Sequence, residues 1–371
     1  MPENVSDVND KGNEILSSQC LKVGARLQQF WKAWERYQVD PWVLQVIREG
    51  YIIPWNVDHR PPPMSPAPQE FPSYLGNPEK LQVLESEVKE MLQKGAIEQV
   101  SHVDPGFYNR LFLVPKPSGT WRPVLDVSRL NLFVKTTKFS METPQSVLAA
   151  IQKNDWMVSM DMKDAYFHVP IHPESRKFLR FVINGAIFQF RALCFGLSTA
   201  PQVFTRVLAP LAKIVHLAGY RIILYLDDWL ILARTKQEAL RARDYVLKLT
   251  TELGIVINQE KSQLEPTQEM IYLGMSINTA SFWVSPTEKR VRNALLILRE
   301  FESSESLPAK SWKSLIGHMS SLERFIPGAK LRIRPFQFHL HGSWKQGSQS
   351  LKTLIPIPNF IHQELKWWNN Q

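Results

Sequence analysis

RIILYLDDWLILAR (Arg221–Arg234) sets two adjacent aspartates, Asp227 and Asp228, between two almost purely apolar runs. Packing charge among such neighbours costs free energy unless the charge is paired or meets a cation. Two strands of a hairpin need a polar turn, and Asp is a common turn residue. Taken alone, the window fits that reading as well as it fits a catalytic one, so the rest of the chain has to decide.

The chain has 371 residues, 44% of them hydrophobic, with twelve Trp and nineteen Phe. That composition supports a large core in two or three domains and argues against wholesale disorder. Cys20 and Cys194 are the only cysteines. They exclude a disulfide framework and a Cys-type zinc site, and make a reducing, intracellular compartment the default, cytoplasmic or nuclear. No apolar run approaches the roughly 18 residues of a membrane span, and the polar start MPENVSDVNDKGNE is not a secretory signal. The formal charge of +9 is compatible with a nucleic-acid partner without requiring one.

Residues 1–60 read as a tail followed by a helical segment. Glu14–Tyr37 offers Leu16, Leu21, Leu27, Phe30 and Trp34 to an apolar face, Pro41 interrupts it, and PWVLQVIREGYIIPW gives a short second element. Residues 61–77 are a linker, with RPPPMSPAP (Arg60–Pro68) stiff and unable to continue a helix. A helix is expected over about Pro78 to Lys94, with Gly95 as its C-terminal cap. Residues 78–278, with a core from about 96 to 278, then mix short β-rich runs with helical stretches at Ala200–Leu217 and Gln237–Leu253. The class is α+β, an antiparallel sheet covered on one face. Residues 279–371 read helical. EKRVRNALLILREF places Val291, Leu295 and Leu298 on one stripe, and SWKSLIGHMSSLERFIPG opens with Ser311 as its N-cap and stops at Pro327-Gly328.

WMVSMDMKDAYFHVPI ends a β-like apolar run on Asp161, as the opening stretch does on Asp227. Three carboxylates brought together would repel, and one would be driven toward protonation unless a cation sat between them. Magnesium, a hard ion that prefers carboxylate oxygen, is the natural partner, with manganese as an alternative. Two such ions about 4 Å apart serve phosphoryl transfer by activating a hydroxyl and stabilising a leaving oxygen. Asp161, Asp227 and Asp228 are therefore candidate ligands; the competing account has Asp161 cap the next turn.

Further boxes surround these residues. YLDD in an apolar hairpin looks like the catalytic box of reverse transcriptases, and DMKDAYFHVPI like their first aspartate box. FGLSTAPQVF (Phe195–Phe204) resembles the box between them, and LFLVPKPSGTWRPVLDVSRLN (Leu111–Asn131) the fingers hairpin. NQEKSQLEP and IYLGMSI fall where the late palm lysine and the primer-grip hairpin are expected. Within the family the wording is similar to gypsy-type and, above all, DIRS-type retrotransposons. GARLQQFWKAW, DPWVLQVIREGYIIP, SLIGHMSSLERFIPGAKLRIRPFQ and ELKWWNN carry that likeness from Val23 onward. The resemblance implies a right-hand polymerase: short fingers from 96–150, a ferredoxin-like palm, and a helical thumb or connection from about 279.

Roles follow from the same resemblance. Asp161 and Asp227 are the main metal ligands, Asp228 the third acid, and the carbonyl of Met162 also faces a metal. The amides of Asp164 and Ala165 hold the incoming deoxynucleoside triphosphate, and Tyr166 is the steric gate against a ribose 2′-hydroxyl. Lys116 and Arg122 neutralise the triphosphate, Arg by a planar multi-donor contact; VPKPSGT also aligns with a one-residue slip at Lys116. Phe195 stands where retroviral enzymes carry Gln, and Gly196 permits close approach of template or nucleotide. Lys261 is a general acid for the pyrophosphate leaving group or an ordinary solvated lysine. The primer-grip hairpin contributes Leu273 and Gly274. Lys289, Arg290, Arg292 and Arg299 contact the duplex backbone or form a solvated helix face.

His168 and His172 are read as structural, because proline and β-like character spoil a helical zinc face. Trp367 and Trp368 are expected to pack against another part of the protein, such as a missing domain. The implied partners are an RNA or DNA template with primer, deoxynucleoside triphosphates, and other proteins encoded by the element. No aspartate follows Asp244, and beyond Ser303 the only acids are Glu305, Glu323 and Glu364, so ribonuclease H activity in this tail is not expected. A ribonuclease H label would be inherited from a parent polyprotein. The alternative to an active polymerase is a transposon-derived relic that binds nucleic acid without polymerising.

Overall fold

The computed structural model describes residues 22–58, 61–71, 77–100, 104–115, 119 and 121–371. Arg221–Tyr225 is one strand and Asp228–Ala233 the next, so the apolar runs form a hairpin whose two-residue loop is Leu226-Asp227. Leu226 has φ 53°. The left-handed region suits the first central position of such a loop, and it strains a side chain like leucine. The buried Trp229 braces the loop by donating its indole N–H to the Leu226 carbonyl at 3.0 Å. The hairpin belongs to a four-stranded sheet ordered Arg221–Tyr225, Asp228–Ala233, Trp156–Met162, Ile257–Thr267. The strand that carries Asp161 is thereby the neighbour of the strand that begins at Asp228. Sheets and helices mix throughout, as the α+β reading requires.

The chain divides into two compact units, the first made of Met1–Thr143, Ser159–Ile231 and Leu240–Leu264, the second of Pro144–Val158, Leu232–Ala239 and Glu265–Gln371. In the first, helix Ala200–Leu217 buries Phe204, Val207, Leu211 and Val215 and packs on strand Arg221–Tyr225. Helix Pro78–Gln93 starts with Asn77 accepting from the amide of Lys80 and with Pro78 in the first turn. It buries Leu84, Val88 and Met91, one face at helical spacing, and ends where Gly95 turns left-handed at φ 70°. Strands Arg110–Pro115 and Trp121–Asp126 pair antiparallel, with Arg110 opposite Asp126. Arg180–Ile183 and Ala186–Phe190 form a further hairpin on Asn184-Gly185, both left-handed.

The N-terminal segment is helical in pieces. Residues 14–21 of the expected helix lie outside the described residues; Ala25 is left-handed, and Arg26–Phe30 forms a 3-10 turn before helix Trp31–Arg36. Asp40 then caps helix Pro41–Glu49. Trp34 donates to the Leu253 carbonyl and Arg26 to that of Gly254, each at 3.0 Å. At the break itself, Gly24 and Ala25 give their amides to the Lys94 and Phe167 carbonyls rather than to a helical turn.

The second unit holds a three-stranded antiparallel sheet, Glu269–Tyr272, Met275–Asn278 and Trp283–Pro286, followed by helices Glu288–Glu302, Ala309–Leu322, Arg334–Ser343 and Asn359–Asn369. Three expectations change here. Helix Glu288–Glu302 buries Ala294, Leu298 and Phe301 rather than Val291 and Leu295. Ala294 admits the neighbouring helix and Phe301 meets Trp312 edge-on at 5.1 Å, so packing selects a different stripe through Leu298. Helix Ala309–Leu322 begins directly after the extended Pro308, which puts Ser311 inside its first turn and not at its cap. Trp368 is buried among Phe336, Ile361 and Leu365, with Trp367 packed against the same core, so both tryptophans find their partners within this chain. Among the described residues no helix is long and apolar enough to cross a membrane.

Candidate active site

The acids meet at strand ends. The amide of Met162 donates to the Asp227 carbonyl at 2.9 Å, and the amide of Asp161 donates to Ser262 Oγ at 3.0 Å. Ser262 in turn donates to the Asn258 carbonyl at 2.6 Å, so the end of strand Trp156–Met162 is held by Ser262 on one side and by Asp227 on the other. Burial pushes the Asp228 carboxyl up to about 6, with Asp227 and Asp161 adding to the shift and Lys261 opposing it. Burial also raises Asp161; Lys261 pulls it back, Asp227 raises it further, and a hydrogen bond from Asn258 lowers it. Asp227 itself is exposed. Three oxygen-donor carboxylates with one lysine beside them match the chemistry of a hard divalent cation. Among the described residues no three His, Cys, Asp or Glu side chains are grouped closely enough to hold a metal ion.

The turn after Asp161 carries the next group. Asp164 is left-handed at φ 48° and leads into the 3-10 turn Ala165–His168, in which Ala165 and Tyr166 are buried. The Tyr166 ring lies 4.8 Å from Phe195 and 5.2 Å from Phe204. Burial pushes its hydroxyl up to about 12, and the nearby Asp227 adds to this. The guanidinium of Arg122 sits over Phe195, 5.1 Å from the ring centroid. Arg122, Phe195 and Tyr166 thus form one stack, running from the hairpin Arg110–Asp126 to the turn beside the acids. Gly196 has φ 99°, and a Cβ there would stand 2.7 Å from the Leu125 carbonyl. Its own strand contact therefore demands glycine, whatever else approaches it. Lys116 lies outside the described residues.

His168 serves the scaffold, as read from the sequence. It is fully buried, its Nε2 accepts from the Val256 amide at 3.1 Å, and burial pushes its pKa down to about 4. The neutral ring is left with a proton on Nδ1, 3.3 Å from the Ala165 carbonyl. His172 caps the short helix Pro173–Arg176 through the Glu174 amide.

Sequence reasoning missed three supports. Lys94 ion-pairs with Asp164 at 2.9 Å and with Glu90 at 2.6 Å. Trp229 and Ser262 brace the two aspartate-bearing strand ends. Only Trp229 carried a local signal, as the first residue after the acidic pair.

In the second unit Leu273 and Gly274 form the turn between two strands, with φ 47° and 71°. Arg290 donates to the Leu273 carbonyl at 3.4 Å, and a Cβ on Gly274 would collide with its guanidinium. A cleft of about 450 Å³ is lined by Gly274, Lys289, Arg290, Asn293, Lys313 and His318, with no acidic residue among its walls. Burial, then the nearby Arg324, lowers the Arg290 pKa. Nε and Nη1 of Arg324 are buried with no hydrogen-bond partner among the described residues. Arg292 lines a different cleft, beside Glu288 and Arg299, so the helix separates two residues that the sequence had grouped.

Residues 114–277 match the family model described as reverse transcriptase (RNA-dependent DNA polymerase). The Transposon Tf2-3 polyprotein of Schizosaccharomyces pombe is 25% identical over 261 residues, 70% of this chain and 18% of that protein. The Gag-Pro-Pol polyprotein of Human T-cell leukemia virus 2 is 27% identical over 304 residues, 77% of this chain and 19% of that protein. The chain thus spans about a fifth of the length of the curated relatives it matches. Among solved structures, a foamy viral protease-reverse transcriptase in complex with double-stranded DNA superposes with TM-score 0.64 at 20% identity, covering 94% of this chain and 60% of that one. Another, in complex with RNA/DNA hybrid, gives 0.63 at 18% identity, covering 92% and 46%. The fold is that of a right-hand polymerase.

Proposed function

We propose that residues 114–277, which match the reverse transcriptase family model and resemble parts of retrotransposon and retroviral polyproteins, make this chain the RNA-directed DNA polymerase of a retrotransposon. The DIRS-type wording of its flanks, from GARLQQFWKAW to ELKWWNN, supports that lineage over the gypsy type. The observation that carries the reading is the convergence of Asp161, Asp227 and Asp228 on adjacent strand ends, with the Asp228 carboxyl raised by its neighbours.

In this reading Asp161 and Asp227, helped by Asp228 and the Met162 carbonyl, hold two magnesium ions. These would supply charge neutralisation at the reacting phosphate and a more acidic primer hydroxyl. The primer 3′-hydroxyl gives up its proton to water, its oxygen attacks the α-phosphorus, a new phosphodiester forms, and the bond to pyrophosphate breaks. The protein's own residues orient this exchange. Arg122, stacked on Phe195, meets the triphosphate; the Asp164 and Ala165 amides receive its oxygens; and the Tyr166 ring closes the space beside the sugar. Lys261, close enough to lower the pKa of both Asp161 and Asp228, protonates the leaving pyrophosphate. The acid-free cleft at Gly274, Lys289, Arg290 and Lys313 takes the backbone of primer and template, RNA or DNA. Residues 96–150 act as fingers and those from about 279 as thumb or connection.

Incorporation of dTTP on poly(rA)/oligo(dT) with magnesium tests the reading. Wild type should extend the primer and Asp227→Asn should not. An inactive wild type that still binds the duplex would favour the non-polymerising relic. Degradation of an RNA–DNA hybrid by the purified chain would contradict the expectation drawn from its acid-poor tail.

A further inference from the structure

Three left-handed residues meet behind the turn that follows Asp161: Ala25 at φ 55°, Gly95 at 70° and Asp164 at 48°. Aspartate tolerates this region better than most side chains, but a non-glycine residue stays there only when its surroundings hold it. Those surroundings are specific. Asp164 Oδ2 lies 2.9 Å from Lys94 Nζ, and the same ammonium lies 2.6 Å from Glu90 Oε1. The side chains of Lys94 and Asp164 are 17% and 27% exposed, while Glu90 is 50% exposed. The contact with Glu90 is the shorter, while the contact with Asp164 is the less solvated of the two.

The N-terminal segment closes the same junction. Gly24 donates to the Lys94 carbonyl at 2.8 Å, and Ala25 donates to the Phe167 carbonyl at 2.7 Å. A Cβ on Gly24 would overlap the backbone of Gly95. One pass of chain thus ties the end of helix Pro78–Gln93 to the Ala165–His168 turn, which fixes where the Lys94 ammonium can reach. A lysine at a helix end already has a bland role, since it offsets the helix dipole and pairs with Glu90 four residues earlier. That role does not need the second, better-buried partner.

We propose that Lys94 is a positioning residue for the nucleotide turn. It holds Asp164 left-handed, so that the Asp164 and Ala165 amides and the Tyr166 ring present one fixed geometry to the incoming triphosphate. The inference rests on the polymerase reading above. Without the ammonium, the Asp164 carboxylate is half-buried and unpaired, and the turn relaxes toward ordinary backbone geometry, withdrawing both amides.

The experiment is steady-state dTTP incorporation on poly(rA)/oligo(dT) by wild type, Lys94→Met, Lys94→Arg, Asp164→Asn and the Lys94→Met/Asp164→Asn double variant. Primer–template affinity and melting temperature are measured alongside. Lys94→Met should raise the KM for dTTP about tenfold, the effect of losing a partly buried charge pair. Its kcat should stay within about twofold and its duplex affinity should be unchanged, because only nucleotide placement is disturbed. Lys94→Arg should restore most of the KM. The double variant should be no worse than either single one, since both remove the same contact. An unchanged KM, a parallel fall in kcat, duplex affinity and melting temperature, or multiplicative effects in the double variant would each overturn the proposal. A wild type that incorporates no dTTP sinks the polymerase reading itself; an active wild type with no KM effect sinks this proposal alone.

Discussion

Met162 donates its amide to the carbonyl of Asp227 at 2.9 Å, so the residue after one aspartate is bonded to the other aspartate itself. The two aspartate-bearing backbone segments cannot separate here without breaking a backbone hydrogen bond.

That bond uses main-chain atoms, so the carboxylates can be neutralised without disturbing it. Asp161→Asn and Asp227→Asn should each lower primer extension by about a thousandfold or more, the scale of removing a key charge from a preorganised site. Their melting temperatures should stay within a few degrees of wild type. Magnesium-dependent extension that survives in either variant would remove these residues from the reaction.

Asp228 offers a test in the opposite direction. Burial and its neighbours raise its pKa from 3.8 to about 6, so the folded state holds the charged form less well than the unfolded chain does. Its stabilising contribution is full below the unfolded value and is lost as pH rises from about 4 to 6. Asp228→Asn, assayed with a chelator present, should therefore gain about 1 kcal/mol at pH 8 once solvent screening is allowed for. The gain should shrink by pH 5, and the variant should lose extension activity. Urea unfolding at both pH values checks this; a loss of stability at pH 8 would contradict it.

How much of this was legible from the residues depends on the range of the signal. Strand runs, the Pro78–Gln93 helix and its Gly95 cap were readable because periodicity and capping are local. The three aspartates stood out because Asp161 and Asp227 each follow an apolar run, but only the boxes around them turned that pattern into a candidate site. The buried stripe of helix Glu288–Glu302 was not, since Val291, Leu295 and Leu298 share the spacing of Ala294, Leu298 and Phe301, and only the neighbouring helices, with Trp312 among their residues, choose between them. Nor was the Lys94–Asp164 pair. Lys94 reads locally as the end of a helix, and its partner sits in a different box of the sequence. The stack of Arg122 on Phe195 likewise joins two boxes, and its side-chain geometry lies beyond pattern reading.

His168 makes a pH prediction of its own. Its folded pKa is pushed down from 6.5 to about 4 by burial, so its stabilising contribution is present above the unfolded value and is lost as pH falls from about 6.5 to 4. Between pH 7 and pH 5 the loss should reach about 2 kcal/mol. His168→Leu should be less stable at pH 7, having lost a buried acceptor for Val256, but should show a flatter pH dependence. Equal slopes in the two proteins would mean that another group carries the effect.

The two basic faces of helix Glu288–Glu302 predict different responses to salt. Lys289 and Lys313 line the acid-free cleft beside Gly274, with Arg290 between the turn and the helix. Arg292 lies in another cleft with Glu288, which already supplies an opposing charge. If the first cleft holds nucleic-acid phosphates, each lysine releases about one counterion on binding, and its removal lowers the slope of log K against log salt by roughly one. Lys289→Ala and Lys313→Ala should each show that drop and weaken primer–template binding alike across sequences. Arg292→Ala should change the slope by clearly less. Fluorescence anisotropy of a labelled duplex between about 50 and 200 mM salt spans the range over which such contacts are lost. Equal slopes for all three variants would return these residues to a solvated helix face, the bland account the sequence left open.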